Sequence, residues 1–501
     1  MPGGEKQLVT GRRAAWAAAL AATFAGVHAA YYAAGARFDA TPLAWFWQYV
    51  DAALLRGRLG ESLLYLHIQP PLFNLFLGVV LKAAGPHAPA VFQAAYLGAG
   101  FVLYVSLFAL QRRLGVSRPL AFASSTLFLA SPSFILYEHW LFYVFPLAAL
   151  VVAAAVLFGG TLARPGFGRA AAFFGALFAL GAIWPVFHLA FYAAAAAATV
   201  ALCPGARRKV AAAAAVPGLA LAAVYVKNAV LFGTFAASSW TGMNWWEITG
   251  WNMSIWEARQ LQREGALSDV AFVPPFSPLA AYPRSYADAG RFADVPVLAR
   301  AVKTTGPPNF NHVGYVRIAR NYGRDGFVVL RRFPDAYGRG LARSWYIYFQ
   351  STAAPEYAAT FLNDAGNADR LRSVIGFWNR WFYGEARPRW LPAGVFAAPG
   401  EKQAGALYVV LLVGLPAAWG AGMYLAAARG RAGPSLRRDQ RLALLFICGV
   451  ILYVALAANM FSWAENNRMR FPTDALTVAL AGAGIQRVRL RWRRSKNPRP
   501  A

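Results

Sequence analysis

The sequence predicts an all-α polytopic membrane protein, a bundle of about ten (9–13) transmembrane helices with interfacial helices in a long first outer loop. Three observations predict it. The chain is 58% hydrophobic and only 14% charged, against roughly a quarter charged residues in soluble domains. Apolar runs of about twenty residues, enough to cross a bilayer, recur along the chain. Basic residues gather in the connections between alternate runs, the mark of loops kept on the cytoplasmic side. The net charge of +28 is therefore no sign of a nucleic-acid surface, which needs a continuous phosphate-tracking face.

In chain order the predicted spans are 14–34, 89–111, 118–136, 140–160, 169–185, 187–203, 209–231, 404–427, 440–460 and 472–486. The first follows MPGGEKQLVTGRR. A signal peptide would look similar, but no Ala-x-Ala-like site leads into a soluble domain, so it reads as an uncleaved helix. The spans 169–185 and 187–203 are short and share the turn Trp184-Pro185. Basic flanks on both sides favour a hairpin over one broken helix. Arg12 and Arg13 precede the first span; Arg112, Arg113 and Arg118 join the second and third; Arg164 and Arg169, Arg207 to Lys209, and Arg429 to Arg441 follow at every second connection; the tail RVRLRWRRSKNPRP comes last. This alternation puts both termini in the cytoplasm, and the Ala- and Arg-rich usage points to a bacterial inner membrane.

The segment 70–85, PPLFNLFLGVVLKAAG, is nearly apolar enough to span. Counting it would invert every later basic loop, so it reads as an interfacial or re-entrant helix whose Pro-Pro start suits a helix N-terminus. The chain divides into an N-terminal transmembrane module, 1–231, with the first outer loop 35–88; an outer region, 232–403, with an amphipathic pattern near 311–350; and C-terminal helices with a basic tail, 404–501. Cys203 and Cys448 lie in or beside apolar runs and suggest no disulfide framework. Walker, HExxH, GxSxG and CxxC motifs are absent, which leaves ATP hydrolysis and zinc proteolysis without support.

The polar residues worth weighing lie at the outer connections. Asp39, just past the first span, is a base, a metal ligand, or simply a solvated helix end. His67 and Gln69 precede Pro70-Pro71 and read as substrate contacts or as a helix cap. Tyr137-Glu138-His139-Trp140 sets two ionisable groups between interfacial aromatics. His188, at the tip of the hairpin, donates to a phosphate or caps a turn; Lys227, closing the seventh span, binds an anionic headgroup or snorkels. The segment Glu465-Asn-Asn467-Arg468-Met-Arg470 carries two arginines in a short outer loop, where the positive-inside bias disfavours them. Phosphate binding is a ready reason, since guanidinium meets phosphate at two points.

Together these segments resemble the GT-C superfamily of polyprenyl-phosphate-sugar-dependent glycosyltransferases, in particular family 39 and the protein-mannosyltransferase-like branch. The resemblance rests on Asp39 early in the first loop, on His67-Ile-Gln69-Pro70-Pro71-Leu72, on Ser131-Pro132, on Lys227-Asn228 to Phe232-Gly233, and on Glu465 to Pro472. It implies inverting transfer of a mannose-like hexose from a polyprenyl-phosphate donor to a glycan, lipid or protein acceptor on the periplasmic face. By the same resemblance Asp39 is the base, Glu138 a second catalytic carboxylate, and Arg468, Arg470, His188 and Lys227 hold the donor phosphate. His67, Gln69, His139 and Asn467 would line the substrate. Some members use a divalent metal, Mg or Mn; here Asp39 is followed by Ala40, so the first loop lacks the paired carboxylates. A flippase or transporter of lipid-linked sugars is the alternative, and it would require charged residues in mid-span at repeated positions.

Overall fold

The structure is a computed structural model that describes residues 3–353, 365–382, 437–463 and 465–496, with isolated positions at 416, 419–420 and 422–423. It is all-helical, with 76% of residues in helices and no strand among those described. The helices that frame the bundle and its outer layer include α1 (Gly3–Ala33), α2 (Pro71–Ala84), α3 (Ala88–Arg113), α4 (Arg118–Leu129), α5 (Pro132–Glu138), α6 (Val144–Ala163), α7 (Phe167–Ile183), α8 (Leu189–Leu202), α9 (Arg207–Phe232), α10 (Thr241–Thr249), α11 (Ile255–Arg263), α12 (Gly314–Arg332), α13 (Pro334–Tyr348), α14 (Arg438–Phe461) and α15 (Asn466–Lys496).

Among the described residues, five runs are long and apolar enough to cross a membrane: 14–33, 71–113, 144–163, 204–232 and 438–461; α4 and α5 together make a sixth, bent by 59°. This is a polytopic helical bundle, and among the described residues it has fewer full-length spans than the ten expected for the whole chain. The differences have local causes. The span predicted at 118–136 breaks where Pro132 withholds a backbone N–H and Ser131 N-caps the new helix, its Oγ accepting from Phe134 N–H at 3.3 Å. The hairpin is present, but α7 has 17 residues and α8 only 14, about 26 and 21 Å at 1.5 Å per residue, short of a hydrocarbon core of about 30 Å. Helix α15 is 31 residues long, yet its apolar stretch is too brief and charged to pass. The predicted span 404–427 lies almost wholly outside the described residues. The contested segment forms α2, and it joins α3 through a 3-10 turn in which Gly85 takes φ 53°, a conformation only glycine adopts readily.

Helix α6 is apolar on every side and correspondingly enclosed; it packs against α3, α7, α14 and α15 at the centre of the bundle. Helix α1 is the opposite case, with 6% of its apolar window buried. Polar ties help to fasten it: Tyr31 donates to the Ala130 carbonyl at 2.7 Å, and His28 meets Glu138.

The loop between α1 and α2 and the segment after α9 interlock into one outer layer. Asp51 caps the helix Ala52–Gly57 through Ala53 N–H and also accepts from the Thr304 N–H and hydroxyl, at 2.6 and 2.8 Å. The buried Lys303 donates to the Phe46 carbonyl at 2.6 Å; burial, opposed by Asp51, holds its amine down at about 7. The amphipathic pattern near 311–350 is α12 and α13. Helix α12 packs on α10 so closely that Gly242 Cα faces the Ala319 carbonyl, leaving no room for a side chain.

Candidate functional site

A cavity of about 720 Å³ opens between the outer layer and the ends of the bundle. Its walls come from residues 45–48 and Gln69 of the first loop, Tyr143, the α7–α8 turn from Trp184 to Phe191, residues 238–251 around α10, Pro275 and Phe276, the end of α14 with Tyr453 and Leu456 to Phe461, and the segment Ser462 to Met469. Six tryptophans line it, Trp45, Trp47, Trp184, Trp240, Trp251 and Trp463. An apolar, largely preformed pocket with a few convergent polar groups is the usual form of a small-ligand site.

Those polar groups are concentrated. Arg468 is 3% exposed. It donates to the Tyr143 hydroxyl at 3.1 Å, pairs with Glu465, and lies 5.1 Å from the Phe142 ring centroid. Burial works against its charge, but Glu465 and the neighbouring phenols outweigh burial, and the net shift is upward; the guanidinium is a fixed cation. Glu247, on α10, lines the same cavity and makes no side-chain hydrogen bond among the described residues. Burial, reinforced by the Glu465 charge, pushes its carboxyl well above the ordinary 4.5. Five buried polar atoms of lining residues lack a protein partner among the described residues: Gln48 Oε1, Gln69 Oε1, Trp240 Nε1, Trp463 Nε1 and Arg468 Nε. Buried polar atoms are normally satisfied, so this concentration marks a wall built to meet a polar ligand or water.

Of the residues singled out in the sequence, Gln69, His188 and Arg468 line the cavity. His188 also does the plainer work: its Nδ1 accepts from Ala190 N–H at 3.1 Å as the N-cap of α8, and burial lowers its basicity. The others have different placements. Asp39 pairs through its backbone with Trp140, and its Oδ1 accepts from Thr41 N–H at 2.8 Å; it is not among the lining residues. Arg470 is buried with Asp474 at 2.9 Å and the Tyr348 carbonyl at 2.5 Å, partners from the protein itself. Asn467 donates to the Ser351 carbonyl at 3.1 Å and accepts from Arg468 N–H. Lys227 donates to the Leu66 carbonyl, which fastens the first loop to α9.

His67 is a clamp. Its Nε2 lies 3.0 Å from the Asn311 carbonyl, which can only accept, so Nε2 carries the proton and Nδ1 accepts from the Ser239 hydroxyl at 2.7 Å. Burial, with Lys227 and His312 nearby, holds this imidazole down at about 3.

Glu138 and His139 belong to a second buried cluster. Glu138 Oε2 meets His28 Nε2, and the His139 ring stacks on His28 with centroids 6.2 Å apart. Glu138 Oε1 has no partner among the described residues and rests against Gly100.

Sequence reading missed Glu247 and the tryptophans around it. The signal was present in Trp240-Thr-Gly-Met-Asn-Trp-Trp-Glu247, a single carboxylate in a tryptophan-rich stretch. It also missed His28, whose partner lies 110 residues away. No group of three or more His, Cys, Asp or Glu side chains among the described residues is placed to hold a metal ion. The cavity carboxylates are a poor donor set for a divalent cation, which takes several ionised oxygens, because among the described residues only the carboxylates of Glu247 and Glu465 line the cavity and Glu465 is paired with Arg468. Compared with protein-family models, with curated proteins and with solved structures, the chain matches none.

Proposed function

We propose that the chain is a membrane glycosyltransferase that moves a hexose from a polyprenyl-phosphate donor to an acceptor hydroxyl in the tryptophan-lined cavity. One observation carries the reading: the buried Arg468 guanidinium and the Glu247 carboxyl line one aromatic cavity bounded by the end of α14. Leu456, Met460 and Phe461 of that helix are exposed apolar residues beside the cavity, a route by which a lipid-borne substrate can enter without leaving the bilayer. Flat indole faces suit the apolar faces of a sugar ring.

In this reading the acceptor hydroxyl attacks the anomeric carbon, the bond from that carbon to the phosphate oxygen breaks, and the configuration inverts. The acceptor proton passes to a carboxylate, and the electron pair leaves with the polyprenyl phosphate. Arg468 stabilises the charge that develops on the leaving phosphate. Glu247 is the carboxylate we assign as base, ahead of the Asp39 that the family resemblance implies, because Glu247 shares the cavity with Arg468 while the Asp39 carboxylate caps its own loop. A carboxylate with raised pKa is the stronger base once ionised. The same reading adds the short helices α7 and α8 to a GT-C-like bundle of about ten, and puts the cavity on the periplasmic face of a bacterial inner membrane.

The test is purified protein in lipid nanodiscs with a panel of radiolabelled polyprenyl-phosphate hexoses. Transfer to an acceptor is expected, with Arg468→Gln and Glu247→Gln each lowering turnover by about 10²–10³, the usual loss when one transition-state contact is removed. Full activity in Glu247→Gln beside a dead Asp39→Asn returns the base to Asp39. Donor consumption by no member of the panel, or movement of the donor across the bilayer without a glycosidic product, overturns the proposal.

A further inference from the structure

A second cavity, of about 500 Å³, lies at the far end of the bundle between α1 and α3. Along α3 it is removed from the first site: Tyr96 donates to the Phe142 carbonyl beside that site, and Arg112 follows sixteen residues later, about 24 Å along a helix. Its apolar walls are Trp16 and Leu20 of α1 and Val105 and Phe108 of α3. Trp16 is held in place by rings on two helices, stacking on Phe108 at 6.1 Å and meeting Phe122 edge-on at 5.7 Å. One end of the groove is basic. Arg112, Arg113 and Arg118 line it, and none of them has a carboxylate partner among the described residues. Arg112 donates to the Val116 carbonyl and Arg113 lies over Gly159 of α6. Both guanidiniums stand at the mouth, with no carboxylate among the described residues to compensate their charge.

We propose that this groove binds an anionic phospholipid, with one acyl chain along the α1–α3 wall and its phosphate among Arg112, Arg113 and Arg118. Two features point to one occupant. The three cations demand an anion, which guanidinium meets best as phosphate, and the apolar groove continuing from them fits a chain attached to that phosphate. A soluble phosphate would leave the groove unfilled. The exposure of α1 agrees with this: with 6% of its apolar window buried by protein, a lipid in the groove would supply contact that α1 otherwise lacks. The proposal depends on the membrane bundle and not on glycosyl transfer.

Arginines near a membrane surface attract anionic lipid generally, and the experiment separates that effect from a built site. The full chain, purified in detergent, is given phosphatidylglycerol or phosphatidylcholine of matched chains, and retained lipid is counted by native mass spectrometry. Preferential retention of phosphatidylglycerol is expected, falling about fivefold for each guanidinium removed in Arg112→Gln and Arg118→Gln. Leu20→Trp fills the groove and leaves all three arginines in place; it is expected to lose the retained lipid as well, with Ala17→Leu as the second filling variant should the first not fold. Equal retention of the two lipids overturns the proposal. So does phosphatidylglycerol retained at wild-type level by a folded groove-filling variant, which would be surface attraction alone. Displacement by excess inorganic phosphate would also overturn it, since it would show a free-anion site.

Discussion

Replacing Gly100 with alanine tests how tightly the Glu138 cluster is built. A Cβ at that position would lie 1.8 Å from Glu138 Oε1 and 2.9 Å from its Cδ. The obstacle is the end of a side chain, which could ordinarily swing aside, but Glu138 is wholly buried and its other oxygen is joined to His28. To clear the methyl, the carboxylate must give up that bond. Overpacking costs about 1–3 kcal/mol, a lost hydrogen bond to a charged group about 1.5–3 kcal/mol, and alanine's better helix propensity returns about 1 kcal/mol. The net loss is about 1.5–5 kcal/mol. Gly98, on the same helix, has nothing within 4 Å of its built Cβ, so Gly98→Ala keeps only the propensity gain. Apparent melting temperatures in detergent should therefore fall for Gly100→Ala and hold or rise for Gly98→Ala. A double-mutant cycle sharpens the test: in a Glu138→Ala background the clash is gone, and Gly100→Ala should cost little further. Equal melting of the two glycine variants, or strict additivity in the cycle, refutes the reasoning.

Gly242→Ala would set a Cβ 1.8 Å from the Ala319 carbonyl. Backbone cannot swing away, so α10 must separate from α12; stability should drop by about 1–3 kcal/mol, and ligand binding in the cavity should weaken with it because α10 carries Thr241, Asn244 and Glu247, whereas unchanged binding by calorimetry would count against the placement. The neutral His67 makes a signed pH prediction. Its imidazole titrates at about 3 in the fold against 6.5 ordinarily; between those values the unfolded chain binds the extra proton, so stability is full above pH 6.5 and declines as pH falls toward 3. Melting curves of His67→Gln should show a shallower acid decline than wild type, and parallel profiles would remove His67 as the cause.

Helix positions were legible where local chemistry decides them. The apolar run expected at 140–160 became the enclosed α6, whereas the run expected to continue through 118–136 is broken at Pro132. The site was legible only in part, because its residues are defined by what faces them across the fold. Arg468 and Arg470 raised the same question in the sequence, why two arginines sit in a short outer loop. Only Arg468 turned out to line a cavity; Arg470 was already answered by Asp474, four residues on, the spacing at which helical side chains meet. Glu247 escaped notice because its neighbours there are tryptophans, and nothing local says that they will enclose a space together with residues from the first loop and from 462–469. The pairing of His28 with Glu138 and the clamp of His67 on Asn311 span 110 and 244 residues, distances over which a sequence pattern carries no information about contact.

The tie between His28 and Glu138 also has a consequence in time. At about 5–20 residues per second of synthesis, the 110 residues between them take about 5–20 seconds to emerge. The first helix is made and delivered to the bilayer well before the carboxylate that fastens it exists. Its small, mostly exposed apolar surface suits that wait, since a helix content to face lipid on nearly every side can stand alone until its partner arrives.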